Sequence, residues 1–248
     1  NLSFQSNKLI SLSGDYKGMS MSAANITAIG SLDGAGQNGG DNNVVYQIVG
    51  QPLGVFYLPH CKGLVKNENG SYFYDIEDLD RNGNVDLSDG GDRYIAGQAT
   101  PKVILGSNIS FRYKNYYISI QMNGAFGHKI FNGTGLAYTS MACFPDYNVL
   151  KDAPKKNIID QRVSDYWLEK GDYLNFEHLT IGYNVPLRSK LVRSLRVSCN
   201  ISNIGTITGY KGLTPMINSY VVNSTMGIDD KRNYPLYRTY SLGLSVQF

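Results

Sequence analysis

The stretch Tyr240-Ser-Leu-Gly-Leu-Ser-Val-Gln-Phe248 decides the fold. Successive side chains of a strand point to opposite faces. Tyr240, Leu242, Leu244, Val246 and Phe248 therefore share one face, and Ser241, Gly243, Ser245 and Gln247 share the other. A soluble sheet turns its apolar row onto a core. Strict alternation that ends on a terminal Phe instead suits a transmembrane β-barrel, with the apolar row against lipid and the small polar row against a wet lumen.

Working outward, five further segments carry the same period. The run Leu2 to Leu12 is the least regular. Val103, Leu105, Ile109, Phe111 and Tyr113 alternate with Ile104, Gly106, Asn108, Ser110 and Arg112. Tyr116, Ile118, Ile120, Met122 and Phe126 alternate with Tyr117, Ser119, Gln121, Asn123 and Ala125. Leu179, Ile181, Tyr183 and Val185 alternate with Glu177, Thr180, Gly182 and Asn184 up to Pro186, which ends a strand because it lacks the N–H donor. Leu195, Val197, Cys199 and Ile201 alternate with Arg196, Ser198, Asn200 and Ser202. The connections are asymmetric: Lys114-Asn115 and 186–194 are short, whereas 13–100, 132–172 and 208–238 are long and rich in Gly, Asn, Asp and Tyr. Short turns at one end and long connections at the other match the periplasmic and extracellular ends of an outer-membrane barrel.

Composition agrees. Nineteen Tyr and 27 Gly against one Trp suggest strands and turns. A net charge of +3 with no run of Lys or Arg gives no footing for nucleic acid. No stretch approaches the roughly 18 apolar residues of a membrane helix, which says nothing against a barrel. Cys61, Cys143 and Cys199 are odd in number and lack CxxC spacing, so unpaired thiols are expected. Six strands are too few to close a barrel with such loops, roughly eight being the small end of the range. The expectation is an all-β, C-terminal portion of something larger.

Three ordered groups of motifs identify a resemblance. Gln47-Ile-Val-Gly-Gln-Pro-Leu-Gly-Val-Phe-Tyr57, Asp78-Leu-Asp-Arg-Asn-Gly-Asn-Val-Asp86 and Gly97-Gln-Ala-Thr-Pro-Lys102 come first. Val163-Ser-Asp-Tyr-Trp-Leu-Glu-Lys-Gly-Asp-Tyr-Leu174 and Leu179-Thr-Ile-Gly-Tyr183 follow. Asn203-Ile-Gly-Thr-Ile-Thr-Gly-Tyr-Lys-Gly-Leu-Thr-Pro215 and Tyr234-Pro-Leu-Tyr-Arg-Thr-Tyr240 close the series. Together they resemble the SusC/RagA family, the TonB-dependent outer-membrane transporters of Bacteroidetes. Gly205, Thr214 and Leu58-Pro59-His60 depart from the family pattern in loop detail. The resemblance implies that residues 1–248 are the last six strands of a plugged barrel of about 22 strands, with the plug and earlier strands upstream. It further implies a cell outer-membrane location, a SusD-like surface lipoprotein as lid, a TonB complex acting through the plug, and import of oligosaccharides or peptides.

One motif carries sharp chemistry. Asp78, Asp80, Asn82, Asp86 and Asp89 stand at positions 1, 3, 5, 9 and 12 of a calcium-type loop, with Gly83 at the turn position 6 and Asn84 at position 7 able to offer its carbonyl. A hard cation wants six to eight oxygens at once, and only a tightly turned loop aims alternate side chains inward. Position 12 is Asp rather than Glu, and the flanks Tyr72-Phe-Tyr74 and Gly90-Gly91 are not helix-forming. The expected cofactor is therefore a structural Ca2+ that orders a loop, without the paired helices a calcium sensor opens. An Asp/Asn-rich turn that binds nothing is the plainer alternative.

No nucleophile–base pattern, phosphate loop or dinucleotide fingerprint occurs, and His60, His128 and His178 are scattered singly. The expectation is a non-enzyme with no catalytic residue. Tyr138, Tyr147, Tyr166, Trp167, Tyr210 and Tyr220 in the long connections could stack on sugar rings, though loop cores and interfacial girdles are the commoner place for such aromatics. The rival function is a calcium-stabilised surface adhesin or lectin-like binding module. A surface glycan hydrolase is a more distant rival and needs a pair of convergent carboxylates.

Overall fold

The computed structural model describes residues 1–17, 19–21, 23–32, 42–188, 191–217, 226–231 and 233–248. A wall of six antiparallel strands carries the rest. In chain order, β1 (Leu2–Phe4) starts the wall. The first long connection then forms β2 (Gly14–Tyr16), β3 (Met19–Met21), β4 (Ile26–Ser31), β5 (Asn43–Ile48), β6 (Val55–Leu58), β7 (Cys61–Lys66), β8 (Tyr72–Ile76) and β9 (Tyr94–Gln98). The hairpin β10 (Val103–Tyr113) and β11 (Tyr116–Phe126) returns to the wall. The second connection holds β12 (Lys129–Asn132), α1 (Gly133–Thr139), α2 (Ala153–Lys156) and β13 (Leu168–Lys170). Next come β14 (Tyr173–Val185), β15 (Ser194–Thr208), the short β16 (Ile228–Asp229) and β17 (Thr239–Gln247).

The wall runs β1-β10-β11-β14-β15-β17, so each wall strand pairs with the next one in sequence. Its register sorts the two faces as the alternation predicts. Phe111 opposes Ile118, Ile181 opposes Cys199 and Cys199 opposes Leu242 on one face. Asn108 opposes Gln121, Ser110 opposes Ser119 and Thr180 opposes Asn200 on the other. At about 3.3 Å per residue, the 11 residues of β10 span about 36 Å, which at a tilt of about 35–45° matches the roughly 25 Å apolar band of a membrane barrel.

Burial separates the wall from the connections. Leu242 is 85% exposed, Leu244 69% and Phe248 77%, so the apolar row of β17 has no protein cover. The hydrophobic core lies elsewhere. Leu32, Val44, Val45, Phe56, Leu58, Tyr74, Ile76, Phe131, Leu136, Ile158, Trp167 and Ile228 pack into one cluster drawn from all three long connections. These segments therefore fold, with a four-stranded sheet β4-β5-β6-β9 and a β7-β8 hairpin among their elements. The physical reason is that three long connections pool enough apolar side chains for a core that none has alone.

Two expectations change. The run Leu2 to Leu12 is a wall strand only as far as Phe4. Beyond it the chain turns to the first connection, where Leu9 N donates to Gln51 O (2.9 Å), Gly50 N to Leu9 O (2.8 Å) and Leu53 N to Asn7 Oδ1 (2.7 Å). Those partners replace the ladder bonds of a continued strand. Conversely, β14 and β15 extend past the alternating stretch to pair Tyr173 with Thr208, with Glu177 bulged against β11 and an extra residue at Asn203–Ile204 of β15 against β14. A bulge breaks the period of two and hides the strand from a periodicity reading.

Candidate metal centre and polar wall

Residues 78–92 fold as a tight loop between β8 and β9. Gly83 has φ +91, the left-handed conformation the turn demands. Asp78 Oδ1 accepts from Asn82 N (3.2 Å) and Oδ2 from Gly83 N (2.8 Å). Asp80 Oδ1 accepts from the same Asn82 N (3.0 Å), and Asn82 Oδ1 accepts from Asn84 N (2.8 Å). Asp78, Asp80 and Asn82 thus hold the turn together, their side-chain oxygens accepting from its backbone.

The second half differs. Asp78, Asp80 and Asp92 bring carboxylate oxygens within 4.8 Å of one another. Asp89 is drawn aside, accepting a hydrogen bond from the Tyr46 hydroxyl, which also receives one from buried Arg93 (Nη1, 3.2 Å). Asp86 is turned onto Ser88, accepting from its N and Oγ (both 2.9 Å), bonds that hold its carboxyl below the usual carboxylate range. Asp92 is only 1% exposed. Its Oδ2 accepts from Asp86 N (2.8 Å) and its Oδ1 from Leu79 N (2.6 Å) and Asp80 N (3.2 Å), which lowers its pKa in the same way. Asp92 thus stands where position 12 was expected to close the loop. The signal in the sequence was Gly90-Gly91. Gly90 has φ +93, and a Cβ on Gly91 would sit 2.5 Å from Asp86 O, so only this pair lets the chain fold back.

The donor set suits a hard cation. Three carboxylates converge, Asn82 Nδ2 donates to Asp80 Oδ2 (2.7 Å), and no cationic side chain is ion-paired with Asp78, Asp80 or Asp92 among the described residues.

The polar face of the wall is the second candidate surface. Its side chains bond in rows across the strands: Ser119 Oγ to Asn108 Oδ1 (3.1 Å), Thr180 Oγ1 to Asn200 Oδ1 (2.9 Å), Thr206 Oγ1 to Asn175 Oδ1 (2.9 Å) and Arg196 Nε to Asn184 Oδ1 (2.9 Å). The bulged Glu177 accepts from Asn123 Nδ2 (3.1 Å) and Gln121 Nε2 (3.3 Å). Asn123, Asn175, Glu177, His128 and Tyr173 border a cavity of about 650 Å3. Burial pushes the His128 imidazole below its ordinary pKa, which favours its neutral form.

The other sequence candidates take structural roles. Trp167 is buried and donates Nε1–H to the Tyr74 hydroxyl (2.9 Å), and Tyr210 donates to fully buried Asp229 (2.7 Å). Tyr147 and Tyr166 are exposed and Tyr138 is half-buried, whereas Tyr220 lies outside the described residues. His60 Nδ1 pairs with Asp165 Oδ2 (2.7 Å), tying the first connection to the second. All three cysteines are free.

An antiparallel wall with one apolar and one polar face is the architecture of a β-barrel wall. Comparison with known proteins narrows it. No family model matches the chain. It is 27% identical over 231 residues to the TonB-dependent receptor P3 of Formosa agariphila, covering 80% of this chain and 22% of that protein. It is also 27% identical over 224 residues to the TonB-dependent receptor SusC of Bacteroides thetaiotaomicron, covering 85% and 21%. Among solved structures, the RagAB peptide transporter superposes with a TM-score of 0.63 at 15% identity, over 82% of this chain and 23% of that one. The open-open state of the RagAB peptide importer gives 0.63 at 17%, over 84% and 24%. The chain spans about a fifth of the length of the curated relatives it matches. These relatives are TonB-dependent receptors, and the chain is similar to them over four-fifths or more of its length.

Proposed function

We propose that this chain forms part of the barrel wall and the extracellular chamber of an outer-membrane transporter that imports oligosaccharides or peptides under TonB control, with a SusD-like lipoprotein as lid. The observation that carries the reading is the two-faced wall: a bare apolar face beside a face of hydrogen-bonded amides and hydroxyls. The relatives' names support it. Binding, orientation and passage are the chemistry on offer, since the wall supplies amides, hydroxyls and the Glu177 carboxylate to a passing solute. The test uses the full receptor in its native cells. An epitope inserted at Val85 should be labelled on intact cells and one between Lys114 and Asn115 should not. Loss of the gene should abolish growth on one glycan or peptide source. Equal labelling of both epitopes, or growth unchanged on every source, would sink the reading.

The same proposal gives the loop a structural Ca2+ held by Asp78, Asp80, Asn82 and Asp92, with Asp86 and Asp89 supporting the loop from outside. Bound there, the ion would neutralise three converging carboxylates and fix the loop between β8 and β9. Chelation should expose residues 78–93 to protease while the barrel stays intact. Asp92→Asn should weaken calcium binding about tenfold or more, in the range by which loss of supporting groups weakens metal sites. Asp89→Asn should change it little. The reverse order, read by calcium titration of both variants, would return the closing role to Asp89.

A further inference from the structure

At the rim of the wall a cleft of about 360 Å3 opens between the end of β9 and the β12–β13 pair, and Lys102, Lys129 and Lys170 line it. Lys129 and Lys170 face each other in register across the two strands. Like charges directly opposite destabilise an antiparallel pair. No ion pair includes any of the three lysines among the described residues. The one acid on the lining, Asp172, has Oδ1 taken by Gly127 N (2.6 Å). Lys129 Nζ donates to Ala96 O (2.6 Å), which anchors the ammonium in place yet leaves its charge and two N–H groups unused.

The backbone makes room for these side chains. A Cβ on Gly97 would stand 2.7 Å from Lys129 Cδ, and one on Gly127 would stand 3.0 Å from Lys102 Cβ. Both lysine stems therefore lie over bare glycine. Three ammonium groups against one carboxylate leave the lining two charges positive.

We propose that this cleft is a binding subsite for a phosphate- or sulfate-type oxyanion, held between Lys129 and Lys170 with Lys102 on the third side. An oxyanion of about two negative charges matches the lining, and ammonium groups bind phosphate as point charges. A bound anion also removes the repulsion built into the Lys129–Lys170 register. Two sources supply such a group: a free or solute-borne anion, and a phosphorylated lipid headgroup. The second is within reach because Lys102 directly precedes β10 and Lys129 lies three residues past Phe126, on the order of 10 Å beyond the last wall row.

The test does not depend on the import reading. The receptor containing this chain is placed in phosphatidylcholine nanodiscs, and its lysines are acetylated and quantified by mass spectrometry. One arm adds inorganic phosphate and another dopes the discs with phosphatidic acid, each against chloride at equal ionic strength. Acetylation of Lys102 and Lys170 should fall about fivefold near saturation, while exposed Lys151 and Lys155 should not change. Protection by inorganic phosphate assigns a soluble anion. Protection by phosphatidic acid alone assigns a headgroup. Lys170→Gln should abolish the protection of Lys102 in either arm. No protection in either arm, an equal fall at Lys151 and Lys155, or Lys102 protection that survives Lys170→Gln, overturns the proposal.

Discussion

Leu242→Arg is expected to block assembly of the receptor, whereas Ser241→Lys, one residue earlier on the same strand, is expected to leave it unaffected. Leu242 lies mid-strand on β17, 85% exposed and opposite Cys199. An arginine facing lipid near the midplane costs about 2–4 kcal/mol in a barrel, enough to remove much of a typical margin of about 5–15 kcal/mol. Ser241 points to the other face, opposite Asn200, where a lysine meets amides and water. The contrast separates the two main readings. On a soluble adhesin, arginine at an 85% exposed position is a surface substitution worth within about 0.5 kcal/mol. Heat-modifiable migration of the receptor in outer-membrane fractions measures assembly directly. Full assembly of Leu242→Arg would count against the lipid-facing assignment.

That experiment also shows which part of the structure was legible in the sequence. The wall was, because apolar and polar side chains alternate along most of β10 and β11 and the register keeps each kind opposite its own. The folded connections were not. Their strands run two to six residues, too short to show a period, and their cohesion comes from residues far apart in sequence, such as Phe56, Phe131 and Ile228. The turn at 78–92 was half legible. Asp78, Asp80 and Asn82 follow a local turn and so obey spacing. Asp92 arrives only because Gly90-Gly91 folds the chain back, and Asp89 leaves because Tyr46, more than 40 residues away, donates to it.

Trp167→Ala should disorder the chamber without dissolving the barrel. Trp167 is 7% exposed and joins two long connections. Its Nε1 donates to the Tyr74 hydroxyl of the first (2.9 Å), and its Cζ3 fills the space where a Cβ on Gly135 of the second would stand (2.7 Å). The Tyr166 ring lies edge-on at 5.1 Å and touches the Tyr74 ring at 5.3 Å, so the indole closes an aromatic triangle. Truncating a buried Trp to Ala costs about 3–5 kcal/mol. That loss falls on the core pooled by the connections, because the wall strands make their own ladders and bury little beneath them. Trp167→Phe keeps most of the packing and loses the hydrogen bond, a smaller cost of about 1 kcal/mol. In Trp167→Ala, protease should cut within 42–100 and 132–172 while heat-modifiable migration persists, and uptake should fall with the chamber. In Trp167→Phe both losses should be slight. If Trp167→Ala removes the receptor from the membrane altogether, the connections and the wall are one cooperative unit and the separation argued from burial is wrong.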